Sequence, residues 1–109
     1  MPTPKTIITA QVITASGNEA GGHSSVADAL SVQVNVTAVS GTTPSLTVSV
    51  AWSNDGVTYG QANPVDALAA ITTVTGLVAR FTVKGAYYQI TWTVSGTTPS
   101  FTATIATFN

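Results

Sequence analysis

The residues that could do chemistry are few in this sequence, and their spacing assembles neither a catalytic nor a metal site. His23 is the single imidazole, and it lies in a Gly- and Ser-rich stretch without a Cys or a carboxylate at a metal-ligand spacing. The four carboxylates, at positions 19, 28, 55 and 66, are too dispersed to indicate an acid/base pair. We therefore predict no catalytic residue, no metal site and no cofactor, and we expect a protein that is not an enzyme.

Two of the carboxylates have structural interpretations. Asp55 stands in an Asn-Asp-Gly sequence between apolar runs, which predicts a tight turn capped by its side chain. Asp66 follows an Asn-Pro pair, an order typical of a helix start, so residues 63–70 are predicted to form either a short helix or a loop. The Gly-Gly pair at positions 21 and 22 is not followed by Lys and Ser or Thr, so it does not indicate a phosphate-binding loop.

The aromatic side chains are the last candidates for a binding site. Trp52 and Trp92 fall on apolar strand faces by parity, which predicts that both belong to the core. Tyr59 and Tyr87 are predicted to make a surface contact. Amphipathic rings of this kind stack on sugars in many binding sites, so a glycan would be sought there first.

Composition indicates a β-rich chain with little charge. Twenty Thr and fourteen Val residues favour strands, because β-branched side chains fit a pleated, half-buried surface. Seven of the 109 residues are charged and the net charge is −1, so self-repulsion between close neighbours is weak. We expect a chain that functions inside an assembly, with a Thr-solubilised monomer as the alternative. Three basic residues cannot neutralise a run of phosphates, so no nucleic-acid partner is predicted, and the absence of Cys excludes a disulfide framework.

A seven-residue segment, Val39–Ser45, returns letter for letter 55 positions later as Val94–Ser100. Both copies contain Gly and Pro and stand between apolar runs of period two, the pattern of a turn that joins two strands. The spacing predicts two related β-hairpins, with Val32–Val36 paired to Leu46–Trp52 in the first. The alternation of apolar residues that precedes the first copy is shifted by one residue relative to the alternation that precedes the second. A bulge near Ala38 is predicted, because one extra residue would bring the two patterns into agreement.

Further short strands are predicted at residues 71–74 and 77–83, separated by Gly76. Seven or eight short strands separated by turn signals indicate an all-β fold, an antiparallel β-sandwich or small barrel that contains the two related hairpins. The predicted core consists of Val34, Val36, Leu46, Val48, Val50, Trp52, Phe81, Ile90, Trp92, Phe101 and Ile105.

The chain is predicted to divide into residues 1–25 and a β-sandwich domain over residues 26–109. The first segment contains a short strand at Ile7–Ile13 and then a turn-rich, flexible stretch over residues 16–22. It is interpreted either as the first strand and a loop of the domain or as an arm that reaches a neighbouring subunit. No stretch has the length needed to span a bilayer and the N-terminus lacks a continuous apolar region, so we expect synthesis in the cytosol and no membrane partner.

Three parts of the chain together resemble small virion proteins of tailed bacteriophages. They are the run from Val34 to Val48, the Trp-Ser-Asn-Asp-Gly sequence at residues 52–56, and the segment from Tyr88 to Phe101. The resemblance leaves the first 25 residues outside and carries over no functional residue. It implies a β-sandwich without catalysis that has a structural role in the virion.

The expected function is that of a non-enzymatic capsid decoration, or cement, protein of a bacteriophage virion, made in the host cytoplasm. Its expected partners are the major capsid protein or other virion proteins, and we expect a homo-oligomer. The alternative is a carbohydrate- or receptor-binding β-sandwich module of a tail or fibre, in which Tyr59 and Tyr87 make the contact.

Overall fold

The computed structural model describes residues 4–24 and 28–108, which form β-strands joined by short connections. The strands are β1 (Pro4–Ile13), β2 (Gly17–His23), β3 (Ala29–Ser53), β4 (Gly60–Ala67), β5 (Thr75–Thr82) and β6 (Tyr87–Phe108). All pairings between these strands are antiparallel, which confirms the predicted all-β fold class of an antiparallel sandwich or small barrel. The described residues contain no helix that is long and apolar enough to cross a membrane.

The two longest strands, β3 and β6, are central and pair with each other along their length. The first half-sheet consists of β1, residues 101–108 of β6, residues 29–39 of β3, and β5. The second half-sheet consists of β2, residues 87–95 of β6, residues 45–53 of β3, and β4. Buried side chains of both half-sheets form one hydrophobic cluster, so the domain has a single core.

The two copies of the repeated segment lie opposite each other in the middle of β3 and β6, where Ser40 pairs with Ser100. Their backbone conformations agree. The φ angle is 109° at Gly41 and 115° at Gly96, and it is 47° at both Thr43 and Thr98. Each copy is therefore the same local bend, used once in each long strand.

The two predicted hairpins do not form, and the domain has six strands in place of seven or eight. Val32–Val36 and Leu46–Trp52 are successive parts of β3, and both pair with β6. A Gly and a Pro between apolar runs usually mark a chain reversal. Here two residues with positive φ bend the strand, while its ladder with the other copy continues on both sides. The predicted bulge is confirmed, because the pairing register shifts between Val36 and Ala38.

The domain as a whole consists of two structurally equivalent halves. Adding the repeat offset of 55 residues to the bounds of β1, β2 and β3 gives residues 59–68, 72–78 and 84–108, which overlap β4, β5 and β6. Pairing follows the same relation, because β1 and β2 flank β6 as β4 and β5 flank β3. A local pseudo-twofold axis therefore passes between the two copies of the repeated segment.

The core follows the predicted parity. Ten of the eleven predicted core residues are buried, and Phe81 is half-buried because it lies on β5, an edge strand. Both tryptophans are in the core, as predicted, with Trp52 7% and Trp92 8% exposed. The core also contains Ile8, Ile13, Leu30, Val32, Leu68, Ile71, Tyr88 and Ala103.

The N-terminal segment contributes two strands to the domain. Strand β1 pairs with β6 and buries Ile8 and Ile13 in the common core. Residues 16–22, predicted to be flexible, belong mostly to β2. The glycines of this strand have a packing role, since the Trp92 ring lies against Gly17 and the Tyr88 ring against Gly21. Residues 1–3 and 25 of the predicted segment lie outside the described residues.

Residues 63–70 form neither the predicted helix nor a simple loop. Strand β4 covers residues 60–67 and pairs with β3 at its two ends, where Trp52 faces Gly60 and Val50 faces Asp66. The residues between these pairs leave the ladder, and they include Pro64, which has no N–H to donate to it. Asp66 is therefore a strand residue. Of the two strands predicted over residues 71–83, only β5 forms, and Ile71 makes an isolated bridge to Leu46.

Candidate functional site

The two tyrosines predicted to make a surface contact are both half-buried. Tyr87 begins β6, and its ring centroid lies 4.3 Å from that of His23 on the neighbouring strand β2. The same ring lies against Gly56, in the turn after β3. Tyr59 follows that turn and precedes β4. The role of Tyr59 and Tyr87 in binding stays a prediction, and His23 has the structural role of packing on Tyr87.

A depression of about 400 Å³ lies beside this turn, at the end of the second half-sheet. Its lining combines the edge of a buried indole with amide, hydroxyl and ammonium groups, contributed by the end of β3, the start of β4 and the connection before β6. The lining residues are Trp52, Ser53, Asn54, Thr58, Gly60, Gln61, Ala62, Asn63, Lys84 and Gly85. Such a lining offers hydrogen-bond donors and acceptors to a polar ligand.

Two of the lining residues, Trp52 and Lys84, form a connected cluster with Asp66 beside this depression. The Trp52 indole Nε1 donates to Asp66 Oδ2 over 2.9 Å. Lys84 Nζ donates to both carboxylate oxygens of Asp66, at 3.1 and 2.9 Å, and lies 5.9 Å from the centroid of the Trp52 ring. Asp66 thereby satisfies the one polar atom of a nearly buried indole while its own charge is paired.

The connection that carries Lys84 is held close to β3. A Cβ at Gly85 would lie 2.9 Å from the Ser53 carbonyl oxygen and 3.1 Å from the Trp52 Cβ, so glycine permits this approach. Lys84 Nζ also donates to the Thr82 carbonyl oxygen over 3.1 Å. The cluster is therefore positioned by backbone contacts as well as by the ion pair.

A second, wider depression of about 630 Å³ covers the outer surface of the second half-sheet. Hydroxyl groups dominate its centre, where Ser49 and Thr91 are hydrogen-bonded to each other across β3 and β6. Its lining residues are Ser16, Gly17, Asn18, Thr47, Ser49, Gln61, Val65, Ala67, Thr91, Trp92 and Thr93. This lining contains no charged side chain, so a partner could approach it without desolvating an ion.

The turn between β3 and β4 confirms the predicted cap. Asp55 Oδ1 accepts hydrogen bonds from the backbone N–H groups of Val57 and Thr58, at 2.8 and 2.9 Å, and from the Ser53 hydroxyl. Gly56 has a φ of 75°, the positive value that an Asn-Asp-Gly turn predicts. The backbone bonds to Thr58 and Val57, followed by the Ser53 bond, lower the pKa of Asp55 from 3.8 to about 2.

This lowered pKa predicts an acid-sensitive turn. The folded state binds a proton at Asp55 less readily than the unfolded chain, so the stabilisation is complete above pH 3.8 and is lost as the pH falls towards about 2. A ¹³C titration of the Asp55 carboxyl group should show a midpoint near 2. In the Asp55→Asn variant, the loss of thermal stability between pH 4 and pH 2 should be smaller, and an equal loss would contradict this role.

The Trp52, Asp66 and Lys84 cluster was not predicted from the sequence. These residues lie on β3, on β4 and after β5. The pairing of β3 with β4 brings Trp52 and Asp66 together, and the close approach of Gly85 to β3 adds Lys84. The sequence around Asp66 predicts a helix start, which would direct its carboxylate to backbone N–H groups. One sequence signal could have indicated the cluster. The parity of Trp52 predicts a core position, and a core indole needs a hydrogen-bond acceptor nearby for its N–H group.

Within residues 4–24 and 28–108, no group of three or more His, Cys, Asp or Glu side chains could hold a metal ion. Comparison with protein-family models and with curated protein sequences finds no match for this chain.

Proposed function

We propose that this protein is a capsid decoration protein of a bacteriophage virion, which binds across neighbouring major capsid subunits and stabilises the shell. Binding alone is the mechanism. A protein that binds only the assembled shell stabilises it by mass action, and several contacts per particle raise the effective affinity. The virion resemblance of residues 34–101 motivates the identity of the partner, and the surface of the domain supports a binding role.

The observation that carries the proposal is the distribution of charge over the strands. The central strands β3 and β6 contain no charged residue, although they provide the middle of both half-sheets. The charged residues lie on flanking strands or in connections, namely Lys5, Glu19, Asp28, Asp55, Asp66, Arg80 and Lys84. The centres of protein interfaces are likewise depleted in charge, because burying an unpaired ion is costly.

The outward positions of the central strands fit this role. They present amide and hydroxyl groups, such as Gln33 on the first half-sheet and Thr93 on the second, and both of these residues are exposed. Neutral polar groups can exchange water for partner hydrogen bonds at a low desolvation cost. An uncharged central surface on a domain with a single core is suited to a static joint between subunits.

The proposal is tested by co-sedimentation of the full chain with empty capsid shells and by the melting temperature of the shells. We expect binding and a raised melting temperature. We then place a lysine at the centre of each half-sheet, with Gln33→Lys on the first and Thr93→Lys on the second. The substitution on the half-sheet that contacts the shell should weaken binding at least about tenfold, because it buries an unpaired charge. Val57→Lys places the same charge on a side chain 82% exposed in the turn after β3 and should leave binding unchanged.

Two results would contradict the proposal. The first is the absence of co-sedimentation for the unaltered chain. The second is equal shell binding by Gln33→Lys, Thr93→Lys and the Val57→Lys control, because the uncharged central strands would then have no part in the contact.

The second candidate is a carbohydrate- or receptor-binding module of a tail or fibre, and the depression beside Trp52 is the observation that favours it. Its amide and hydroxyl lining matches the hydrogen-bonding groups of a sugar. A glycan array separates the two functions. Sugar binding that disappears in Tyr59→Ala, Tyr87→Ala or Asn63→Ala would favour the second candidate over capsid decoration.

A further inference from the structure

One strand edge in the domain differs from the other three. The half-sheets have four edge strands, β1 and β5 in the first and β2 and β4 in the second. An unpaired edge offers a row of N–H and C=O groups to another strand, and proteins interrupt such edges with bulges or Pro. The four edges can therefore be compared for such interruptions.

Three of the edges are interrupted. Strand β1 has two register shifts between Thr6 and Gln11, and Ala10 has a φ of 44°. Strand β2 has a register shift before Gly22, where φ is 101°. Strand β4 leaves its ladder with β3 around Pro64. Each of these edges is a poor template for a continuous ladder with another chain.

Strand β5 has no interruption. It pairs with β3 from Thr75 to Thr82 without a register shift and contains neither a proline nor a residue with positive φ. Among the described strands, β5 pairs only with β3, so its other edge has no partner within this part of the chain. Strand β2 is its pseudo-twofold counterpart and is interrupted, so the open edge is not a general consequence of the fold.

Both faces of β5 carry apolar groups that the domain leaves partly exposed. On the core side, Leu77, Ala79 and Phe81 pack against the hydrophobic cluster but are only half-buried. On the outer side, Val78 is 66% exposed. A strand added to this edge would cover apolar surface on both faces as well as forming main-chain hydrogen bonds.

We propose that the β5 edge binds the β5 edge of a second copy of this chain, antiparallel and about a twofold axis at Val78. This pairing places Leu77 opposite Ala79 on the core side and Val78 opposite itself on the outer side. The two first half-sheets then form one continuous sheet across the dimer. A homodimer with a twofold axis uses the same patch on both copies, as this strand allows.

The charge pattern of β5 favours a second copy as the occupant. Arg80 is the only charged residue of the strand, and in this pairing it lies opposite Gly76 of the other copy, so the two arginines do not face each other. Gly76 leaves its outer side open, since a Cβ there would meet only Asn35 Oδ1, at 3.5 Å. The guanidinium of one copy can therefore lie over Gly76 of the other and donate to the Asn35 amide oxygen.

The dimer is tested with the protein alone, by sedimentation equilibrium of the full chain over a wide concentration range. We expect a species of twice the 11.0 kDa chain mass. Val78→Lys places two like charges opposite each other and should weaken the dimer at least about tenfold. Val12→Lys is the control, because Val12 is also exposed, at 58%, but lies on the interrupted edge strand β1. This variant should leave the dimer unchanged. Equal thermal unfolding of both variants as dilute monomers controls for folding.

The pairing at Val78 is tested further by cysteine crosslinking, because the chain contains no Cys. Under mild oxidation, Val78→Cys should form a disulfide-linked dimer and Val12→Cys should not. A purely monomeric wild-type chain, or equal dimerisation of the two lysine variants, would overturn the proposal. Loss of shell binding in Val78→Lys with the dimer intact would assign this edge to another partner and also overturn it. The dimer does not depend on the proposed capsid role, so either can fail alone.

Discussion

Replacement of Gly41 or Gly96 by Ala should lower the free energy of unfolding by about 3 kcal/mol or more, and by similar amounts for the two sites. Both glycines have φ angles that L side chains rarely adopt, 109° and 115°. A Cβ at Gly41 would lie 2.6 Å from the Thr98 carbonyl oxygen, and one at Gly96 would lie 2.7 Å from the Thr43 carbonyl oxygen. Urea denaturation of the two single variants measures both losses.

The neighbouring threonines provide a control in the same bends. Thr43 and Thr98 have a φ of 47°, which is unfavourable for a β-branched residue, so Thr43→Gly and Thr98→Gly relieve strain in the folded state. Glycine also makes the unfolded chain more flexible, and we expect the two effects to leave stability nearly unchanged. Strongly unequal losses at Gly41 and Gly96 would contradict the structural equivalence of the two copies.

Side-chain parity made much of the fold predictable from sequence. Alternation along residues 46–52 and 88–94 placed both tryptophans in the core, because a strand has a side-chain period of two whatever its partner. The Asn-Asp-Gly turn was predicted because it depends on local backbone geometry, and the bulge before the first copy was predicted because the apolar parity of the two copies differs by one residue. The repeat itself correctly indicated that one conformation is used twice.

Long-range pairing was not predictable in the same way. The repeated segment carries the signals of a hairpin turn, and only the presence of the second copy opposite it makes a bent, continuous strand possible. The glycines of β2 likewise indicate a flexible loop until the rings of Trp92 and Tyr88 are placed over them. In both cases a residue far along the chain determines the local conformation, as is common for β-structure.

The candidate site was less predictable than the fold. Tyr59 and Tyr87 were chosen as exposed aromatic residues, and both are half-buried beside the turn after β3. The polar cluster of that region depends on Asp66, whose position on an edge strand has no local sequence signal. A binding site on a β-domain is formed by side chains from separate strands, so its residues need not share a motif.

The duplicated architecture relates the proposed surfaces to one another. The pseudo-twofold axis gives two half-sheets with uncharged central strands and two pairs of equivalent edges, but only β5 keeps a regular edge. If β5 forms the dimer, the second half-sheet of each copy stays free for the shell. One dimer would then present two copies of the same uncharged surface, which is the arrangement that multivalent binding to a symmetric particle requires.

Gly21→Ala should have the second large effect on stability, a loss of about 2–5 kcal/mol, because it combines overpacking with a broken buried hydrogen bond. A Cβ at Gly21 would overlap the Tyr88 ring, and Tyr88 is only 3% exposed. The Tyr88 and Thr107 hydroxyl groups are joined by a 2.7 Å hydrogen bond. Displacement of the ring would therefore break this bond and leave both buried hydroxyl groups without that hydrogen-bond partner. Urea denaturation measures the loss.

Gly60→Ala is the matched control, since a Cβ at Gly60 would meet no atom within 4 Å. The free energy of unfolding of this variant should stay within about 0.5 kcal/mol of wild type. In a Tyr88→Val background the ring is absent, so the additional cost of Gly21→Ala should become small. Burial raises the pKa of Tyr88 above 10.0, and a displaced, hydrated ring in Gly21→Ala should titrate closer to that value. A full cost for Gly21→Ala in the Tyr88→Val background would show that the ring is not the cause, because the alanine would then meet some other obstacle in β2.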